Sequence, residues 1–107
     1  MDVEILKFKL VTSWERVAFV DIRYNQLVMH CDLVYNGKRN HVWIRMPEKW
    51  ISKEKKMSYC FWPTQEISDS FQKEVLKKIF DKYDLDVSKI ADIHRVEKQK
   101  LKEQKNT

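Results

Sequence analysis

Residues 16–47 read RVAFVDIRYNQLVMHCDLVYNGKRNHVWIRMP, and most of the predicted fold follows from this segment. Apolar and polar side chains alternate in RVAFVDIRY, a period of two that is typical of a strand with one buried and one solvated face. The dipeptide NQ at 25–26 predicts a tight turn into a second strand at 26–35. The dipeptide NG at 36–37 predicts a hairpin, because a type I′ turn needs positive φ at both central residues. A third strand at 41–46 completes an antiparallel meander.

Strand patterns also flank this segment. In VEILKFKLV at 3–11, Leu6, Phe8 and Leu10 alternate with lysines, which predicts a strand that carries these three side chains on one face. MSYCFW at 57–62 is a fifth candidate strand, ended by the proline that follows it. The polar sequence PEKWISKEKK, between the last two strands, predicts a loop.

After Pro63 the hydrophobic period changes to that of a helix. Apolar residues recur at helical spacing at Ile67, Phe71, Val75, Ile79 and Tyr83. Thr64 or Ser68 is suited to cap the N-terminus of this helix. The helix is expected to lie across the sheet and to supply the second layer of the core.

A second, weaker helix is predicted near the C-terminus. Asp86 or Ser88 offers its cap, and Ile90, Ile93 and Leu101 mark its apolar side. The tail KQKLKEQKNT is expected to fray into solvent.

These patterns predict an α+β protein with an antiparallel meander of four to five strands, one packed helix and a second C-terminal helix. The sheet and the first helix form one expected unit at 1–85. The second helix and a basic tail follow at 86–107.

Composition narrows the classes of function. A single glycine, Gly37, excludes a glycine-rich phosphate-binding loop. No segment has the apolar run of a signal peptide or of a membrane span, so we expect a cytoplasmic protein without a membrane partner. Cys31 and Cys60 lie in apolar segments and are expected to be buried thiols rather than a disulfide.

The positive charge of the chain is concentrated in the stretch 36–56. This stretch holds seven basic and two acidic residues, a surplus equal to the net charge of +5 of the whole chain. Its basic residues are Lys38, Arg39, Arg45, Lys49, Lys53, Lys55 and Lys56. Such a density attracts polyanions, because each neutralised phosphate releases condensed counterions. The alternative is that these charges form an ordinary solvated face. A surface without a binding role would, however, be expected to spread its surplus of positive charge along the chain.

Two tryptophans, Trp43 and Trp50, lie within this basic stretch. In the strand at 41–46, Trp43 and Arg45 alternate with apolar residues and are expected on the open side of the sheet. An exposed aromatic beside an arginine is a platform for base stacking, which is worth ~1–3 kcal/mol per base. Trp50 could extend this platform, and single-stranded DNA or RNA suits it better than a duplex. The alternative is that the tryptophans complete a core.

Signals for catalysis or metal binding are weak. His41, Cys60 and His94 show none of the spacings of zinc sites, and the adjacent His30 and Cys31 point to opposite faces of a strand. No nucleophile stands in a recognisable elbow, and no acidic pair is placed for acid–base chemistry. We expect a non-enzymatic protein with no metal, cofactor or small-molecule substrate.

Taken together, several segments resemble the SpoVG family, the stage V sporulation protein G or septation-regulator proteins. The similar features are VAFVDIRY, LVMHCDLVYNGK, the apolar-x-Met-Pro at 44–47 followed by Lys49, and Trp62-Pro63 before SFQKEVLKKIFDKY. The resemblance covers roughly residues 1–83. It implies a small homodimer that binds DNA and RNA, regulates gene expression and pairs its sheets edge to edge, which would also protect exposed sheet edges.

The sequence thus predicts a nucleic-acid-binding regulatory protein that acts as a homodimer. The residues expected to contact nucleic acid are the basic residues of 36–56, the two tryptophans, and Lys73 and Lys77 on the first helix. These two lysines share a face at i, i+4 spacing. The alternative is that they are ordinary solvated residues of the helix. The alternative is an adaptor that holds an acidic protein partner through its aromatic sheet face and C-terminal helix. Tryptophan fluorescence with oligonucleotides would distinguish the two.

Overall fold

The computed structural model describes residues 2–50, 53, 56–58 and 64–105, with the backbone alone at 48–50, 56–58 and 101–105. Within these ranges, six strands precede two helices. They are β1 (Val3–Ser13), β2 (Arg16–Tyr24), β3 (Leu27–Asn36), β4 (His41–Arg45), β5 (Glu48–Trp50), β6 (Lys56–Ser58), α1 (Gln65–Tyr83) and α2 (Val87–Lys105).

The predicted α+β class is confirmed. Strands β1 to β4 form one antiparallel sheet in the order β1-β2-β3-β4, so each strand pairs with its neighbour in the chain. The segment predicted as a loop before the fifth strand instead contains β5. It pairs with β6 in a separate two-stranded sheet, with Lys49 opposite Met57. The remainder of the predicted fifth strand, at 59–62, lies outside the described residues, as do Pro63 and Cys60.

The turn after β3 differs from the predicted type I′ hairpin. Asn36 pairs with His41, so the connection has four residues, and its left-handed residue is Asn40 with φ of 50° rather than Gly37. The side chain of Asn36 organises this turn, since its Oδ1 accepts hydrogen bonds from the backbone N–H of Lys38 and Arg39 at 3.0 and 3.4 Å. Such a local side-chain bond favours a longer turn over the two-residue one.

An irregularity in β1 overturns the prediction that Leu6, Phe8 and Leu10 share one face. The register with β2 shifts between Ile5 and Lys7, so one extra residue is accommodated there. As a result Ile5 is buried and Leu6 is exposed. Beyond a β-bulge, the residues that face the core change from odd to even positions or the reverse. No pattern in the sequence marks the position of this bulge.

The core lies between the sheet and the helices. Alternate residues of β2, β3 and β4 face it, among them Val20, Leu33 and Ile44, and α1 contributes Phe71, Val75 and Ile79. The predicted cap of α1 is confirmed, because Thr64 Oγ1 accepts the Ile67 N–H at 3.2 Å. Burial of these apolar faces is the main stabilising term of such a two-layer domain.

The helix α1 spans the sheet from one edge strand to the other. Near its N-terminus, Gln72 binds the backbone of Ile44 on β4. Near its C-terminus, Lys78 Nζ binds the carbonyl oxygen of Val3, and Lys82 Nζ lies 3.4 Å from that of Ile5, both on β1. Side chains of one helix therefore satisfy backbone groups on both edges of the sheet.

The second helix packs against the same sheet beside the β1–β2 turn. Asp86 caps it, since Asp86 Oδ1 accepts the Lys89 N–H at 2.8 Å, and Ile90 is fully buried in the shared core. His94 Nε2 donates to the carbonyl oxygen of Trp14 at 2.6 Å, which ties α2 to the β1–β2 turn. The prediction of a frayed tail is wrong as far as residue 105, because the backbone there remains helical.

Candidate nucleic-acid interface

The face assignment of β4 agrees with the prediction. Val42 and Ile44 are buried toward α1, while Trp43 and Arg45 lie half-buried on the opposite face of the sheet. Trp43 pairs across strands with Val34, which is fully buried on that face. The indole therefore partly covers an apolar neighbour and keeps the rest of its surface open.

Arg45 lies on the predicted face, but its charge is balanced by two carboxylates. Its Nη1 lies 2.6 Å from Glu15 Oε1, and its Nη2 lies 2.9 Å from Asp32 Oδ2. Arg16 Nε approaches the other oxygen of Asp32 at 3.2 Å. Both arms of the Arg45 guanidinium are therefore engaged within the protein, and its contribution to phosphate binding is small.

The same balance of charges extends over the open face of the sheet. Arg23 pairs with Glu4 at 3.0 Å, and His30 Nδ1 lies 2.7 Å from Asp21 Oδ1. Consequently, the arginines of this face are each offset by a carboxylate.

Four predicted cations are exposed on the turn before β4 and on α1. Lys38 and Arg39 lie in the turn before β4, and Lys73 and Lys77 lie one turn apart on the solvent side of α1. None of the four forms an ion pair with a described residue, in contrast to Lys78, which lies 3.7 Å from Glu74.

The remaining predicted residues belong to the β5–β6 region. Lys49 and Trp50 lie in β5 and Lys56 in β6, where the backbone is described, and Lys53 is an exposed residue between the two strands. Lys55 lies outside the described residues. The side chains of Lys49, Trp50 and Lys56 likewise lie outside what the structure describes.

Trp43 and His41 form a stacked pair of rings, with centroids 5.6 Å apart and an interplanar angle of 16°. Beside them a cavity of about 490 Å³ separates the turn after β3 from the first two turns of α1. Its lining consists of Asn36, Arg39, His41, Trp43, Gln65, Ser68, Asp69 and Gln72. Flat rings, amides and charged groups thus converge on one opening.

Sequence reasoning missed His41 and the α1 side of this cavity. His41 alternates in phase with Trp43, so the strand pattern carried a signal for it. The residues of α1 carried none, because their approach to β4 depends on how the helix crosses the sheet.

A second aromatic residue on the open face was also missed. Phe19 is exposed, pairs with Lys9 and Asp32 in register, and lies 4.5 Å below the Arg16 guanidinium. A cavity of about 480 Å³ adjoins it, lined in part by Lys7 and His30. The sequence did carry a signal for Phe19, because it alternates with the buried Val20 in β2 and is therefore expected on the open face.

The described part of the chain contains neither a metal-binding cluster nor a membrane-spanning helix. No group of three or more histidine, cysteine or acidic side chains there is arranged to hold a metal ion. Neither described helix combines the length and apolar character needed to cross a membrane. Comparison of the chain with protein-family models, curated proteins and solved structures gave no match, so the resemblance to the SpoVG family stays a prediction.

Proposed function

We propose that the protein is a non-enzymatic, nucleic-acid-binding regulator that holds a single strand of DNA or RNA along its β4 edge. One observation carries the proposal: the stacked rings of His41 and Trp43 lie beside exposed cations that have no carboxylate partner among the described residues. Aromatic faces bind bases of any sequence, and cations beside them bind the phosphates between those bases.

The path of the strand follows from the charges. On the open face Arg45 and Arg23 are paired with carboxylates, so these two cations attract phosphates weakly. The edge beside β4 has Arg39 on one side of the ring pair. Lys73 lies one helical turn beyond Asp69 on the other side. A strand that crosses this edge meets cations before and after the rings.

A single strand is favoured over a duplex for a geometric reason. Bases can stack on protein rings only when they are free of a complementary strand. The solvent side of α1 carries Lys73 and Lys77, which suit phosphates better than the base edges of a major groove.

A homodimer is part of the proposal, on the strength of the SpoVG resemblance alone. Edge pairing has to avoid the backbone groups that α1 already binds, at Ile44 on β4 and at Val3 and Ile5 on β1. Among the described edge residues, the segment 6–13 of β1 is the longest without such a contact. A cytoplasmic location and a role in gene regulation complete the proposal.

The test is a fluorescence titration of the intact protein with single-stranded DNA, single-stranded RNA and duplex DNA at two salt concentrations. Saturable quenching that weakens with salt supports the proposal. The single variants Lys38→Glu and Lys73→Glu should each weaken binding. The matched control is Lys98→Glu, which reverses an exposed charge on α2 and should leave binding unchanged. Absence of any response at low salt contradicts the proposal.

The adaptor function remains the second candidate because of Trp14. This residue is 89% exposed at the tip of the β1–β2 turn. Its backbone is held in the left-handed region, with φ of 58°, beside the bond from His94. Exposed tryptophans are enriched at protein interfaces. Salt-sensitive binding of an acidic peptide, lost in Trp14→Ala and unaffected by oligonucleotides, would favour this function instead.

A further inference from the structure

The cavity beside Trp43 has walls that are fixed from within the protein. The side-chain amide of Gln72 accepts a hydrogen bond from the Ile44 N–H and donates one to the Ile44 carbonyl oxygen, each at 2.7 Å. Asn36 Oδ1 accepts a hydrogen bond from a backbone N–H of its own turn. These two polar side chains therefore position the walls rather than bind a ligand. Because both walls are held in this way, the opening of about 490 Å³ is preformed.

The negatively charged group that lines this cavity is the carboxylate of Asp69, and the hydroxyl of Ser68 lines it as well. Gln65 Nε2 donates to Asp69 Oδ1 at 2.8 Å and thereby orients the carboxylate. Oδ2 accepts no hydrogen bond from any described residue, and each carboxylate oxygen can accept more than one. An ionised carboxylate accepts hydrogen bonds only, so it selects a ligand edge that presents donors side by side.

Among nucleobases, guanine alone has such an edge. Its N1–H and its exocyclic N2–H lie next to each other and can each donate to one oxygen of a carboxylate. Adenine and cytosine place a ring-nitrogen acceptor beside the amino group, and uracil and thymine flank their single N–H with carbonyl oxygens. Those acceptors would face the negative charge of Asp69 and be repelled.

The rest of the cavity suits the remainder of a nucleotide. The rings of His41 and Trp43 offer an aromatic surface for a purine, whose larger face gains more from stacking than a pyrimidine. Arg39 lines the same opening and is exposed, so its guanidinium can reach a phosphate.

We propose that this cavity is a guanine-binding pocket, in which Asp69 selects the base and the His41–Trp43 pair stacks on it. The inference rests on the proposed function and adds base selectivity to it: most of the strand is held without regard to sequence, and one position prefers guanine.

The experiment compares three single-stranded RNAs of about twelve nucleotides, a length that covers one binding surface. One contains uridine only, the second has a single central guanosine, and the third has a central adenosine. The intact wild-type protein should bind the guanosine strand about tenfold more tightly than the other two. In Asp69→Asn the three affinities should become equal, with affinity for the uridine strand unchanged or raised, because a negative charge has been removed.

Asp81→Asn is the matched control, since Asp81 is an exposed aspartate on the same helix, three turns further on. It should retain the preference for guanosine. Circular dichroism of both variants verifies that they fold. As a second readout, guanosine monophosphate should shift the indole N–H resonance of Trp43, identified by its loss in Trp43→Phe, and adenosine monophosphate should not.

The outcomes separate the two proposals. Equal affinity of the wild type for all three strands, with binding intact, overturns the guanine pocket and leaves the proposed function standing. A preference that persists in Asp69→Asn also overturns the assignment of Asp69. If no strand binds, both proposals fail together.

Discussion

Gln72 closes the outer edge of β4 at a single residue, Ile44. Its Oε1 accepts the Ile44 N–H and its Nε2 donates to the Ile44 carbonyl oxygen, each at 2.7 Å. A primary amide thereby takes the place that a neighbouring strand would occupy. The contact joins residues 28 positions apart, and it both positions α1 beside Trp43 and protects a sheet edge that would otherwise recruit another chain.

Gln72→Ala should lower the free energy of unfolding by about 1–3 kcal/mol, because two partly buried backbone groups lose their partners. It should also promote self-association through the exposed edge. Urea denaturation and analytical ultracentrifugation measure the two effects. Gln65→Ala, an exposed glutamine on the same helix, is the control for stability and should change it little. Equal effects of the two substitutions would show that the edge contact is unimportant.

Trp43→Ala should weaken binding of single-stranded oligonucleotides about tenfold or more, given a stacking contribution of ~1–3 kcal/mol per base. Duplex binding should fall less, because paired bases do not reach the ring. Trp14→Ala removes an exposed indole from the β1–β2 turn, on a strand pair that β3 separates from β4, and should leave both affinities unchanged. If Trp43→Ala unfolds the protein, as circular dichroism would detect, the residue serves packing over Val34 rather than binding.

Arg45→Ala should reduce stability while leaving the salt dependence of oligonucleotide binding unchanged. Asp32 is partly buried and would lose one of its two cationic partners, a loss that costs roughly 1–3 kcal/mol. Chemical denaturation with a double-mutant cycle against Asp32→Asn measures this coupling. A shallower salt dependence in Arg45→Ala would instead place the guanidinium on a phosphate.

Lys38→Ala combined with Arg39→Ala should make binding of single strands less sensitive to salt. The slope of log affinity against log salt falls by about 0.7 for each phosphate contact removed from a single strand. The pair should therefore lose about 1.4 from the slope if both residues meet phosphates. Lys98→Ala with Lys100→Ala, on exposed α2 positions, is the matched control. An unchanged slope in the first pair would remove the turn from the interface.

Much of the architecture could be predicted because it rests on short-range patterns. The alternation in β2 identified its two faces, and the helical period from Ile67 to Tyr83 located α1 within two residues. The cap at Thr64 was likewise predictable, since a side chain that accepts from a backbone N–H three residues later is a local contact.

Of the two walls of the candidate site, the sequence predicted only the one formed by β4 and the turn before it. The alternation of β4 placed Trp43 on the open face, and the density of basic residues directed attention to Lys38 and Arg39. The other wall, at Asp69, comes from a helix that is adjacent in space but distant in the chain. Likewise, the ion pairs of Arg45 depend on Glu15 and Asp32 from two other strands, so its charge could not be judged from composition.

The sequence by itself determined where the four main strands and the first helix form, which faces of β2 and β4 are apolar and where positive charge accumulates, because each of these depends on residues within a few positions of one another. Only the tertiary structure decided which charges remain available and which rings, amides and carboxylates share one cavity. Those outcomes depend on the register of the strands and on the direction in which α1 crosses the sheet. Both are set by packing of the whole core, in which distant side chains compete for the same space.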